Sequence, residues 1–190
     1  VDAAKRVQSG ETLDAVVLAA NVVDQMSEAG HIVAGSRVDL VESGVYVAVR
    51  AGAPHVDISS EAALRQAVLD APTIGYSTGP SGVYLSKLFE RWGIAEQLKG
   101  RTVQAKPGVP VGTLIAKGEV ELGFQQLSEM MNVPGIDIVG PLPPSLQIMT
   151  TFSAGVAATS TRPDTVRELL AFMAGADVAG IKRKNGMEPV

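Results

Sequence analysis

Residues 73–92, TIGYSTGPSGVYLSKLFERW, place three hydroxyl side chains among small residues between an apolar stretch and a helical pattern. Thr73–Tyr76 reads as the end of a strand, and Leu85, Leu88, Phe89 and Trp92 recur at the i, i+3, i+4, i+7 spacing of one helix face. The first turn of such a helix leaves backbone N–H groups without intrahelical acceptors, and the helix dipole favours negative charge there. Ser77, Thr78 and Ser81 add hydroxyl donors, so the chemistry on offer is the holding of an anion by neutral groups. An ordinary strand-to-helix turn with a serine near its cap has the same spacing, and spacing alone leaves both readings open. The loop is neither a Walker A motif, since no Gly-Lys-Ser or Gly-Lys-Thr follows, nor a G-x-G-x-x-G dinucleotide fingerprint. No cofactor is expected.

Other reactive groups are few. The sequence has no cysteine, which excludes thiolate catalysis, disulfides and cysteine-based zinc sites. Ser81 lies in Gly-Pro-Ser-Gly-Val, which falls short of the G-x-S-x-G nucleophile elbow. The two histidines, His31 and His55, stand in polar loops, and no metal site is expected from them. Gln125 and Gln126 end a strand on the side where α/β sheets form ligand clefts; one of them could equally cap the helix that follows. Arg37 and Arg50 flank an extended stretch and are either carboxylate clamps or surface residues.

The elements that must position these residues alternate strand and helix almost throughout 190 residues, which predicts an α/β fold with mainly parallel sheet. Leu13–Ala19 reads as a strand buried on both faces. Asn21 is placed to cap the helix after it, and Thr161-Arg162-Pro163-Asp164 to open the last long helix as a capping box. Arg37–Val49 and Pro144–Ala157 are long, extended and mixed in polarity, as crossings between two lobes would be. The lobes are expected at 1–40 with 152–190, and at 41–151. Net charge is −4, with no basic stripe, which argues against nucleic acid as a partner. No apolar run reaches membrane-spanning length, and no signal peptide is found. The chain opens inside what reads as the tail of a helix, ended by Ser9-Gly10, so a preceding segment is expected.

Six segments, in order, resemble a known family: LDAVVLAANVVDQMSEAG, SRVDLVESGVYVAVRAG, TIGYSTGPSGVYLSKLFERWGI, VGTLIAKGEVELGFQQLSE, MTTFSAGVAA and RPDTVRELLAFMAGADVAGIKRKNGMEP. Together they look like the molybdate-binding type of periplasmic substrate-binding protein, class II. The resemblance implies a two-lobe periplasmic-binding-protein type II fold whose first lobe lacks its N-terminal strand. It also implies a small oxyanion or carboxylate ligand, a membrane permease of the ABC type as partner, and a periplasmic location. An incomplete first lobe would be relieved by association with another chain. Carried over by position, Ser81 with the amides of Gly82 and Val83 matches the family's helix-start contact, with Thr78 beside them, and Asn21 lies near the first-lobe face. Gln126 falls where molybdate binders carry a tyrosine, a departure that bears on the ligand. The alternative from another class is an isomerase of small carboxylic acids resembling aconitate isomerase, with Glu129, a tyrosine such as Tyr76 or Tyr84, or a residue of the expected preceding segment as base.

Overall fold

The computed structural model describes residues 2–190. In chain order the elements are α1 (Asp2–Gln8), β1 (Ala15–Ala19), α2 (Ala20–Glu28), β2 (Val38–Arg50), α3 (Glu61–Asp70), β3 (Ile74–Tyr76), α4 (Pro80–Arg91), β4 (Thr102–Gln104) and α5 (Val111–Ala116). They continue with β5 (Leu122–Gln126), α6 (Leu127–Met130), β6 (Ile136–Pro141), β7 (Met149–Val156), α7 (Pro163–Ala174), α8 (Ala179–Lys184) and β8 (Glu188–Pro189). A short 3₁₀ turn, Ala176–Val178, joins α7 to α8. The chain divides into two compact units, residues up to Ser43 with Thr150–Val190, and Gly44–Met149. It passes between them in β2 and at the start of β7.

In the first unit β1 pairs antiparallel with β7, Ala15 opposite Val156, and β8 pairs antiparallel with the start of β2. Val16, Val23, Met26 and Ile32 form one apolar cluster; Leu40, Val41, Ala154, Val156, Val166 and Leu170 form another. Arg37 bridges the carboxylates of Asp24 and Asp39, and the buried Ser153 hydroxyl donates to Asp39. These bonds hold the Asp39 carboxyl below the ordinary carboxylate range, the Ser153 bond most of all.

The second unit has a five-stranded sheet in the order β6-β2-β5-β3-β4. β3 runs parallel to β4 and to β5, with Ile74 opposite Thr102 on one side and Leu122 on the other. Strand alternation sorts its two faces. Leu122 and Phe124 of β5 pack in the main core with Leu64 and Val68 of α3 and Leu85, Leu88 and Phe89 of α4. Gly123 faces the other way, where a Cβ would stand 2.3 Å from Ile115 of α5. Gly75 is likewise crowded by Val120, at 2.7 Å. Both glycines are needed because Val111, Val120 and Ile115 press directly on the strand backbone.

Several sequence expectations change here. The α/β character holds, but while β3 pairs parallel with β4 and β5, β1 with β7 and β2 with each of β5, β6 and β8 pair antiparallel. Strands that carry the chain between units enter each sheet against the local direction, which strand–helix alternation does not reveal. β1 is not buried on both faces: Val17 is 48% exposed, and β7 is the strand that pairs with β1 among the described residues. Asn21 does not cap α2. It lies inside the helix, behind an N-cap at Ala19 that makes no side-chain bond. Thr161 makes no capping box either; the N-cap of α7 is Arg162, whose N–H donates to the Ser160 hydroxyl.

An anion-sized cradle at the start of helix α4

The cradle is built by the C-terminal edge of β3 and β5 in the second unit. β3 ends at Tyr76, and four residues later α4 begins with Pro80. Proline suits the first helical position because its fixed φ is helical and no N–H is lost there. Gly79 occupies the N-cap with extended backbone and makes no side-chain cap bond, so the serines on either side supply the polar groups. The Val83 N–H is already committed, donating to the Gly79 carbonyl at 3.1 Å. The N–H groups of Ser81 and Gly82 have no acceptor among the described residues, and both residues are buried.

The hydroxyls are ordered in series. Gly79 N–H donates to Ser77 Oγ at 3.2 Å, and Ser77 Oγ lies 3.2 Å from Ser81 Oγ. Either hydroxyl can be the donor of that pair; in the arrangement where Ser77 donates, Ser81 keeps its proton for an outside acceptor. Ser81 is 1% exposed, so a ligand meeting it is drawn into a dry environment where each bond strengthens. Gly82 is required by close approach. A Cβ on it would stand 1.7 Å from the Ser77 carbonyl oxygen and 3.1 Å from the Tyr76 ring.

Gln126 completes the edge. It ends β5 beside β3, where Tyr76 stands opposite Phe124. It shares the parity of Leu122 and Phe124, so its side chain lies on the α4 face. Gln126 is 3% exposed, and its Nε2 is buried without a hydrogen-bond partner. Although Gln126 stands at the N-cap position of α6, its side chain makes no capping bond. The neighbouring Gln125 is committed on the opposite face, its Oε1 accepting from the Val111 N–H at 2.7 Å.

Of the residues singled out in the sequence, Thr78, Ser81, Gly82 and Gln126 therefore gather at one edge. Val83 does not contribute as expected, because its amide closes the first helical bond and its side chain is 53% exposed. Asn21 belongs to the first unit, exposed on α2. Ser77 does more than offer a hydroxyl, since its Oγ accepts from the Gly79 N–H and pairs with Ser81 Oγ. No charged side chain takes part in these contacts; the polar groups at this edge are amides and hydroxyls at a helix start.

The candidate bases divide. Tyr84 donates its hydroxyl to the Leu146 carbonyl at 2.7 Å, and burial pushes both Tyr84 and Tyr76 above the ordinary phenol range. Both shifts make a phenolate harder to reach. Glu129, two residues into α6, has its carboxyl pushed up by burial, opposed by a hydrogen bond from Gln125. Among the described residues no group of three or more His, Asp or Glu side chains could hold a metal ion.

Comparison with known proteins places the chain. The profile of the bacterial extracellular solute-binding proteins matches residues 1–188. The chain belongs to that family. A curated relative, an aconitate isomerase from a Pseudomonas species, is 40% identical over 186 residues, 97% of this chain and 71% of that protein. Among solved structures, the periplasmic molybdate-binding protein of Azotobacter vinelandii superposes with a TM-score of 0.79 at 17% identity, covering 97% of this chain and 81% of that one. A periplasmic thiamin-binding protein gives 0.74 at 17% identity over 100% and 70%, and a tungstate-binding protein from Desulfovibrio alaskensis gives 0.62 at 16% over 95% and 77%. At these identities the likeness shows the fold alone, which is the periplasmic-binding-protein type II fold.

Proposed function

We propose that this protein captures a small carboxylate or oxyanion at the start of α4 and delivers it, from the periplasm, to an ABC-type membrane transporter. One observation carries the reading. Two free amides, a buried serine paired with Ser77 and the partnerless Nε2 of Gln126 lie at one sheet edge. Such donors recognise a compact anion by geometry. Gln126, in place of the tyrosine of molybdate binders, favours a carboxylate over molybdate.

The test is a thermal-shift screen of molybdate, tungstate, sulfate, phosphate and a panel of di- and tricarboxylates. A true ligand at 100 times its Kd adds about 2.7 kcal/mol of stability. Ser81→Ala should weaken the best hit by the roughly 0.5–1.5 kcal/mol of one hydrogen bond. Unchanged affinity in that variant moves the site elsewhere.

A second reading is favoured by the 40% identical aconitate isomerase. On the same cradle, a bound tricarboxylate would have its double bond shifted by removal of a proton from the carbon next to a carboxylate and delivery of a proton to the far alkene carbon. Glu129 bonds to Gln125, whose side chain lies on the face opposite Gln126, so this reading assigns the base to no described side chain of the cradle. Following cis- and trans-aconitate by proton NMR in the presence of the protein decides it: an unchanged spectrum over a day at micromolar protein leaves capture as the function.

A further inference from the structure

A cavity of about 660 Å³ opens at the other end of the same unit, where β2 finishes and β5 begins. Its lining reaches Leu122, at the opposite end of β5 from Gln126, and it shares no residue with the α4 cradle. Its size is that of a small-molecule site. The floor is apolar, made by Val49, Ala67, Val120 and Leu122, each 9% exposed or less. The wall carries charge of both signs.

Arg50 lines the cavity, and among the described residues no hydrogen bond or ion pair engages its guanidinium. Gly118 lies beside it, in ordinary van der Waals range: a Cβ there would stand 3.5 Å from the guanidinium. Facing the same space are the carboxylates of Asp57, Asp70 and Glu121. Asp57 accepts from the Ser59 N–H, and Asp70 from the Gln66 amide, so both are fixed in place. Glu121 has no side-chain partner among the described residues.

These charges narrow the occupant. A simple carboxylate would meet Arg50 but would be repelled by three carboxylates. A simple amine would meet the carboxylates and leave Arg50 facing an apolar body. A zwitterion satisfies both sides at once, and the apolar floor takes a hydrocarbon side chain. We propose that this cavity is a second ligand site, specific for a small α-amino acid with an apolar side chain, its carboxylate on Arg50 and its ammonium toward the acidic wall.

The probes are L-leucine, 4-methylpentanoate, which lacks the amine, and isoamylamine, which lacks the carboxylate. Saturation-transfer NMR and calorimetry on the whole chain should show L-leucine binding and each truncated analogue weaker by about tenfold or more, the loss of one charge-assisted contact. Arg50→Gln should abolish leucine binding with its thermal unfolding unchanged, since Arg50 is exposed, while Ser81→Ala should leave leucine binding intact. Absence of leucine binding at 10 mM (roughly ten-thousandfold above a micromolar Kd), equal binding of either analogue, or binding that survives Arg50→Gln would each overturn the proposal. Failure of the α4 cradle to bind any anion would leave it standing, because the two sites have no residue in common.

Discussion

Replacing Gln126 with methionine should raise the stability of the protein and lower its affinity for the anion at the same time. In the free protein the Gln126 Nε2 is buried and bonded to nothing, and Gln126 itself is 3% exposed. A buried donor left without an acceptor costs about 1–3 kcal/mol. Methionine has nearly the same length, no donor and a flexible thioether that follows the existing space, so repacking should cost under about 1.5 kcal/mol. The net expectation is a gain of about 1 kcal/mol. Ligand binding moves the other way, because a hydrogen bond to a charged group contributes about 1.5–3 kcal/mol and its loss weakens affinity tenfold or more. The unfolding assay has a built-in reporter: Trp92, the single tryptophan, is the C-cap of α4 and donates to Glu61 within the same unit. Urea unfolding followed by Trp92 fluorescence gives the first quantity, and calorimetry with the best anion from the screen gives the second. A variant that loses stability while binding as before would show that Gln126 serves packing, and that its free amide has nothing to do with the ligand.

Gly82→Ala should cost about 1–3 kcal/mol in the same urea assay despite the better helix propensity of alanine, because the Ser77 carbonyl must retreat from 1.7 Å to an ordinary contact of 3.4 Å or more; a variant as stable as the parent refutes that geometry. It should also abolish anion binding, since a retreat of that size carries the Ser77–Ser81 pair out of hydrogen-bond range. Glu129→Gln tests the raised carboxyl through pH. Charging Glu129 is harder in the folded state than in the unfolded one, so the folded protein bears a penalty that is absent below the unfolded value near pH 4 and grows as pH rises through the folded value. The variant should match the parent at pH 4 and exceed it in urea midpoint at pH 8; a difference at pH 4 that vanishes at pH 8 contradicts the assignment.

The cradle was legible in the sequence where its chemistry is local. Strand, small polar loop and helix start are contiguous from Thr73 to Trp92, so Ser77, Thr78 and Ser81 could be named from spacing and the helix dipole, whereas Gly82 came only with the family resemblance. Val83 was one residue too far, and the reason is arithmetic: once Gly79 is the N-cap, the amide four residues on is the first to be satisfied inside the helix. Choosing the N-cap by one residue decides which amides are free, and Gly79, Pro80 and Ser81 all invite that choice. The parallel core β4-β3-β5 was legible for the same local reason, through its intervening helices. The antiparallel partners of β2 were not, because Val45 meets Gln126 and Val41 meets Pro189 across long stretches of chain with no turn signal between them.

Gln126 lies between these cases. Its position at a strand end was visible, but whether it capped α6, packed, or faced a ligand depended on which side of β5 it occupied. Parity settles that only once Gly123 is known to be pressed by Ile115, which forces Leu122 and Phe124, and with them Gln126, onto the α4 side. A glycine with no role at the site thus fixes the direction of the residue that has one. The donor so placed is neutral, like the serines and amides beside it. On the proposed reading, a chain of net charge −4 receives an anion without a buried cation, whose desolvation in the empty state would cost several kcal/mol. The unsatisfied amide of Gln126 is then the smaller cost of the same task, on the order of 1–3 kcal/mol, and one that a bound ligand would remove.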